Sequence, residues 1–471
     1  MDYIFDEEKF NESFNVKPVK EKSADSLRLS HIPDNSFKLF PYKASGKRQA
    51  PIVTELEESV SGFFRRALNV ESAAIDYDTL CDLLLENLEI DLPDIELFRD
   101  IIREFFFDGT DFVATNLGLY PYQTRTNNKS ADRLAFFLFC ILGIDQSDCD
   151  VIKKAADRYS YNVLEQMVVA AINSTASGEK EPEKNYYSVV TCVQEKFKKD
   201  FHFMLQTDMT SIEDFSNLLS LYYFYYVSQT SIVLDKFCEG KRDEPISIYY
   251  ALDWEKVSKN RKCCCEGWEK LQANINHMFS HAITLEIINQ HSDSHTMYDY
   301  IALQEYINLH PEEDGLISNE IEKAEKVYTS TVGDYKKFDQ IKHTQSGSKT
   351  NVAIKHLFRC VEEQFLNTDR KRANQFYNEK FSEFCKARWV KNRRKSGLVL
   401  NLTERDIIFL TKISLRNKDK IRLNDLYKEY EYRGIFLDNS SKEHLQEFFT
   451  KLNLIDKKSD SGDAQYVKRI L

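Results

Sequence analysis

His277 and His281 stand four residues apart, a spacing that puts both imidazoles on one side of a helix. Met278 occupies the position where a zinc protease of the H-E-x-x-H type carries its glutamate, so that hydrolytic chemistry is excluded. Cys263, Cys264 and Cys265 could add thiolates to a zinc site with those histidines. Yet adjacent cysteines in a helix point in different directions, and no second pair follows at metal-ligand spacing. Ordinary histidines and reduced thiols are the better account. Ser45, Gly46, Lys47 and Arg48 contain a Gly-Lys pair but lack the upstream glycine and the following hydroxyl that a phosphate-cradling loop needs. The sequence has no G-x-S-x-G nucleophile elbow. No catalytic residue, metal ligand or cofactor is therefore assigned, and the chain is read as a non-enzyme. Carboxylates and lysines are abundant, so a metal-dependent nuclease with an unrecognised carboxylate site stays as one alternative.

Charge points to a different kind of chemistry. The formal net charge is -11, but residues 351–395 carry +7 and residues 397–471 carry +2, which leaves -20 for the remainder. An acidic body with a basic end is the pattern of a protein whose one end meets a polyanion or an acidic partner. The basic cluster closes on Lys386, Arg388, Lys391, Arg393, Arg394 and Lys395, the first candidates for nucleic-acid contact. A solvated surface is the plain reading of the same residues.

These side chains need elements to hold them. Only 14 glycines and 9 prolines occur in 471 residues, below the ordinary usage of about 7% and about 5%, which disfavours a turn-rich all-β fold and favours helices. Four prolines fall within residues 1–55, read as an irregular or strand-bearing arm before the helices start. Residues 56–343 then read as an acidic helical body: Leu80, Leu83, Leu84 and Leu88, and Phe98, Ile101, Ile102 and Phe105, recur at helical spacing. Polar clusters at 174–184 and 344–350 read as loops. The run from Leu221 to Val227, with four tyrosines, could stack bases, but a buried helix whose hydroxyls find partners is the commoner outcome. Residues 249–255 read as the start of a helix with a basic flank. Residues 351–396 form a basic helical connector, in which Ile354, Leu357, Phe358, Val361 and Phe365 share one helical face.

The last 75 residues, 397–471, read as a winged helix. Thr403 and Asp406 make a capping box for a first helix containing Ile407, Ile408, Thr411 and Leu415. Leu423, Leu426, Tyr427 and Tyr430 form the stripe of a second, stopped at Arg433 and Gly434. A third opens at Ser440 with Glu443 completing a capping box, and buries Leu445, Phe448, Phe449 and Leu452. A hairpin follows, its turn at residues 459–463. Lys442, His444, Gln446 and Lys451 on the third helix, with Lys457 and Lys458 on the wing, are the further nucleic-acid candidates. Winged helices also dock proteins, and both uses fit.

The longest apolar run, Leu134 to Ile144, is shorter than the ~20 residues of a membrane span. The start of the chain is acidic, without the charged-then-apolar pattern of a secretory signal. The ten cysteines, mostly isolated within apolar patterns, read as reduced thiols. A cytoplasmic protein without membrane contact is expected.

Several segments resemble those of a known family. Gly397 to Leu400, Glu404 to Asp406, Lys420 to Leu423, Arg433 to Ile435 and above all Lys458 to Val467 resemble the carboxy terminus of DptG, the DNA phosphorothioation-dependent restriction protein. Leu252 to Glu255, Gly267 with Trp268, and Phe37 to Pro41 are similar to other segments of that family. The resemblance implies an accessory or scaffold subunit of a bacterial anti-phage restriction complex, working beside ATPase-like and helicase-like sister subunits on DNA that lacks phosphorothioate protection. It carries no catalytic motif across to this chain. A free-standing winged-helix regulator, which would dimerise on a two-fold double-stranded DNA site, is the second alternative.

Overall fold

Apolar residues recurring at helical spacing produce a mainly helical protein: in the computed structural model, eighteen α-helices form among the described residues. The structure describes residues 3–18, 27–44, 53–70, 76–86, 88, 91–123, 129–158, 162–175, 185–293, 295–343, 346–457 and 465–470. The centre is the helix Ile212–Leu234, in which every residue from Leu218 to Leu234 is buried. Its tyrosines bury apolar rings and satisfy their hydroxyls. Tyr222 donates to Asp200 Oδ2 at 2.8 Å, Tyr223 pairs with Tyr42 at 2.6 Å, and Tyr225 accepts from Lys196 Nζ at 2.6 Å. The aromatic run is a core helix, and base stacking on these buried rings is ruled out.

Helices do not wait for residue 56. Glu7–Ser13 is helical, with Asp6 accepting the Glu8 and Lys9 amides as its cap, and Phe10, Phe14, Phe37 and Phe40 are fully buried. The arm is thus part of the core. In the helix Ile95–Phe106 the buried positions are Ile102 and Phe106, while Phe105 is 59% exposed, so the apolar stripe sits one residue later than its spacing suggests.

The two helices of the basic segment, Lys349–Leu366 and Lys371–Arg388, turn Ile354, Leu357, Phe365, Tyr377, Phe381 and Phe384 inward at full burial. The five residues read as one face, including Phe358 and Val361, are all buried. Lysines and arginines occupy the outer side.

Residues 249–255 depart from the expected helix. Tyr249–Leu252 is a strand, parallel on one side to Leu398–Leu402, with Ala251 opposite Asn401, and on the other to Phe436–Leu437, with Tyr249 opposite Phe436. Val390–Asn392 adds an antiparallel edge. A strand flanked on both sides must be apolar, and Tyr250, Ala251 and Leu252 are buried. Gly267 permits this sheet's close cover, since a Cβ there would meet the Tyr249 carbonyl oxygen at 2.7 Å. One strand of the body therefore lies between two strands from beyond residue 397, and the boundary read there is crossed by backbone pairing.

After Leu402 come the helices Glu404–Leu415, Leu423–Tyr432 and Asn439–Lys451. The capping box of Thr403 and Asp406 is formed, and Gly434 takes φ +80° after the second helix. The third helix is capped by Asp438, which accepts the Ser441 amide, rather than by Ser440, and Leu452 is 45% exposed instead of buried. Arg261 explains the shift, because its guanidinium binds the Asp438 carboxylate and fixes it at the helix start. A three-stranded antiparallel sheet closes the unit, with Gln465–Lys468 between Ile455–Lys457 and Lys420–Arg422.

Candidate functional site

The small C-terminal sheet concentrates cations by simple alternation. Ile421 and Val467 face inward and are buried, so Lys420, Arg422, Tyr466 and Lys468 face outward. Register places Lys468 directly opposite Lys420 and Tyr466 directly opposite Arg422. Lys420 and Arg422 lie 5.3 and 6.0 Å from the centre of the Tyr466 ring. Asp456 meets Lys420 at 2.9 Å, and no carboxylate among the described residues pairs with Lys468 or the exposed Arg469. Asp456 compensates Lys420 but leaves Lys468, directly across from it, without a carboxylate among the described residues, so an anion at this face meets a cation that the fold has not paired. A phosphate backbone supplies such anions.

The positions singled out by charge density fare unevenly. Arg388 is half-buried, bound to the Asn217 side chain and set 5.0 Å over Trp389, and burial lowers its pKa. Arg393 is spent inside the protein: it donates to Asn401 Oδ1 and to the carbonyls of Leu252 and Asp253 at 2.8 and 3.1 Å. Lys391 pairs with Asp253, and Lys386 with Glu383 at 2.8 Å. Arg394 and Lys395 are exposed on the turn that follows. On the third helix Lys442 pairs with Glu431 at 3.2 Å and His444 with Glu447 at 3.4 Å. Gln446 is half-buried, and Lys451 is exposed in the last turn. Lys457 belongs to the strand Ile455–Lys457, while Lys458 lies outside the described residues, as do Ser45 to Arg48 and residues 459–463, where a hairpin turn is expected from the sequence. Lys420, Arg422, Lys468 and Arg469 were missed by charge density. For Lys420 and Arg422 the signal is an i, i+2 spacing of cations around the apolar Ile421, whereas the adjacent Lys468 and Arg469 carry no such spacing.

No family model matches this chain, and no curated protein matches its sequence.

A second constellation involves the two histidines. Both close on Asp235: His277 Nδ1 lies 3.0 Å from Oδ1, and His281 Nε2 lies 2.8 Å from the same oxygen. Tyr300 meets His281 Nδ1 at 3.0 Å, and Glu362 meets His277 Nε2 at 3.3 Å. Burial acts to raise the Asp235 pKa, but hydrogen bonds from the two imidazoles outweigh it and hold the carboxyl well below its usual range. The same bond to Asp235 raises His277, whereas full burial lowers His281. Asp235, His277 and Glu362 line a cleft of about 510 Å³ that also receives Lys355 and Arg359. Cys263 and Cys264 are packed elsewhere, against Ala251 and Val399. Among the described residues no helix is long and apolar enough to cross a membrane.

Proposed function

We propose that this chain is an accessory, assembly-type subunit of a DNA restriction complex of the DptG kind, whose C-terminal unit is a winged helix touching duplex phosphates through its wing. Three helices with the strand Lys420–Arg422 after the first, the short strand Phe436–Leu437 before the third and a hairpin at the end, with Lys420–Arg422 paired to Gln465–Lys468, support the winged-helix reading. The observation that carries DNA contact is the outward face of Lys420, Arg422 and Lys468 around Tyr466. Contact of this kind positions a duplex without reading its sequence. The acidic helical body is the side on which ATPase-like and helicase-like sister subunits would assemble.

Duplex binding by the full chain across a salt series tests this reading. Affinity is expected to fall steeply with salt, and the triple change Lys420→Ala, Arg422→Ala, Lys468→Ala is expected to flatten that slope by about 3. A slope that the triple change leaves alone would remove the wing from any DNA contact. Protein docking is favoured for the third helix by one specific feature: Glu443 and Glu447 stand exposed beside His444, placing carboxylates where a major-groove helix would meet phosphates. Loss of sister-subunit co-purification on changing Glu443 and Glu447 to Lys would assign that helix to a protein partner.

A further inference from the structure

Away from the wing, the helices Asp314–Thr331 and Lys349–Leu366 pack side by side and bring together three donor atoms of different kinds. Glu325 Oε2 lies 2.7 Å from His356 Nδ1, and Cys360 Sγ lies 3.9 Å from the same nitrogen. The three ligand atoms all lie within 4.8 Å of one another. His356 and Cys360 are i, i+4 on one helix, which stacks their side chains on one face.

The second nitrogen of His356 supplies the independent observation. His356 Nε2 is 3.3 Å from the carbonyl oxygen of Ile341, where it can only donate. An N–H held by a backbone carbonyl is the usual outer support of a metal-binding imidazole, and it directs Nδ1 at Glu325 and Cys360, where an ion would replace the proton that Nδ1 shares with the Glu325 carboxylate. His356 is 6% exposed and Cys360 fully buried, so these are not solvated side chains in chance proximity. Glu325 keeps 17% of its side-chain surface open, which gives an ion a way in. On the outer side the exposed His343 ring lies flat on that of His356, with centroids 3.7 Å apart.

We propose that Glu325, His356 and Cys360 hold a zinc ion, with the fourth position open to solvent beside His343. Mixed oxygen, nitrogen and thiolate donors suit zinc, and bonds of ~2.1 Å to oxygen and nitrogen require those two atoms to part to ~3.4 Å, a side-chain rotation. Binding forms the Zn–S and Zn–N bonds as the Cys360 thiol proton and the proton shared between His356 Nδ1 and Glu325 are released to water, so affinity rises with pH. The ion would fasten the stretch around Ile341 and His343 across two helices.

Titration of the full-length, metal-stripped protein with Co²⁺ tests the site, because thiolate-bound tetrahedral cobalt shows a sulfur-to-metal charge-transfer band that oxygen and nitrogen ligands do not produce. One equivalent per chain with that band is expected, displaced by Zn²⁺. Cys360→Ser should abolish the band, and Glu325→Gln should weaken cobalt binding by at least about 10-fold, with far-ultraviolet circular dichroism checking that each variant keeps its helices. The wild-type spectrum stands even if a variant unfolds. No cobalt uptake, uptake without the charge-transfer band, or a band that survives Cys360→Ser in a folded variant would overturn the site.

Discussion

Arg433 and Asp200 meet without solvent, both side chains 0% exposed, with Nε to Oδ2 and NH2 to Oδ1 each at 2.6 Å. The pair joins the helix Cys192–Leu205 of the body to the turn that ends the helix Leu423–Tyr432. Asp200 also accepts from Arg416 at 3.0 Å and from Tyr222 at 2.8 Å, so its lone pairs are spoken for. With the shared parallel sheet, this bond makes the C-terminal unit part of the body.

Replacing Arg433 by Met should therefore cost about 3–5 kcal/mol, because Asp200 stays behind as a buried charge short of its main partner. Urea unfolding at constant pH measures it. A loss under about 1 kcal/mol would mean that the sheet alone docks the unit.

Arg393 and Arg394 are neighbours with opposite expectations. Arg393→Ala strips charge-assisted bonds from Asn401 and two carbonyls and should destabilise by about 2–3 kcal/mol. Arg394→Gly should do no harm, since Arg394 is exposed and holds φ +54°, a conformation that glycine adopts without strain. Melting temperatures of the two variants decide, and similar values would contradict the packing described for Arg393.

That contrast shows what a linear reading of the chain can carry. Counting charges finds the basic cluster but not its partners, because Asn217, Asp253 and Asn401 reach Arg388, Lys391 and Arg393 through the fold. Local chemistry was legible: Thr403 and Asp406 cap each other within one turn, and Gly434 marks its helix end. Tyr249–Leu252 was not, since the strands that make it a strand lie far downstream in sequence. Asp438 displaced Ser440 as a cap for the same reason, through a distant arginine. Of the cations on the small C-terminal sheet only Lys420 and Arg422 were visible as spacing, Lys468 joins them through strand register, and the grouping of Glu325, His356 and Cys360 needs two helices side by side.

Gly434 has a second constraint besides its φ of +80°: a Cβ there would fall 2.5 Å from the Tyr225 ring. Gly434→Ala combines backbone strain with overpacking and should cost about 2–4 kcal/mol in urea unfolding. A neutral result would mean that Tyr225 gives way freely.

The raised pKa of His277 has a defined consequence for pH. Its bond to Asp235 stabilises the fold fully below the unfolded value near ~6.5, and that gain is lost as pH rises through the higher folded value. Replacing His277 by Gln should thus cost more at about pH 6 than at about pH 9, by less than about 1 kcal/mol because the imidazole is partly exposed. Asp235 contributes with the opposite sign, its share present above ~3.9 and lost as pH falls. Urea midpoints of wild type and variant at both pH values separate the two, and a pH-independent difference would sink the assignment.

Lys468→Glu sets stability against function at one position. Directly opposite Lys420, a glutamate turns a like-charge pair into an attractive one, which should raise stability by about 0.2–1 kcal/mol. The same change removes a cation from the outward face and adds an anion, so duplex affinity at low salt should fall while the fold becomes firmer. Binding and unfolding measured on the same preparation check both halves. If affinity falls only because stability falls, the loss is structural. If stability rises and affinity holds, the lysines face each other for some reason other than a phosphate backbone.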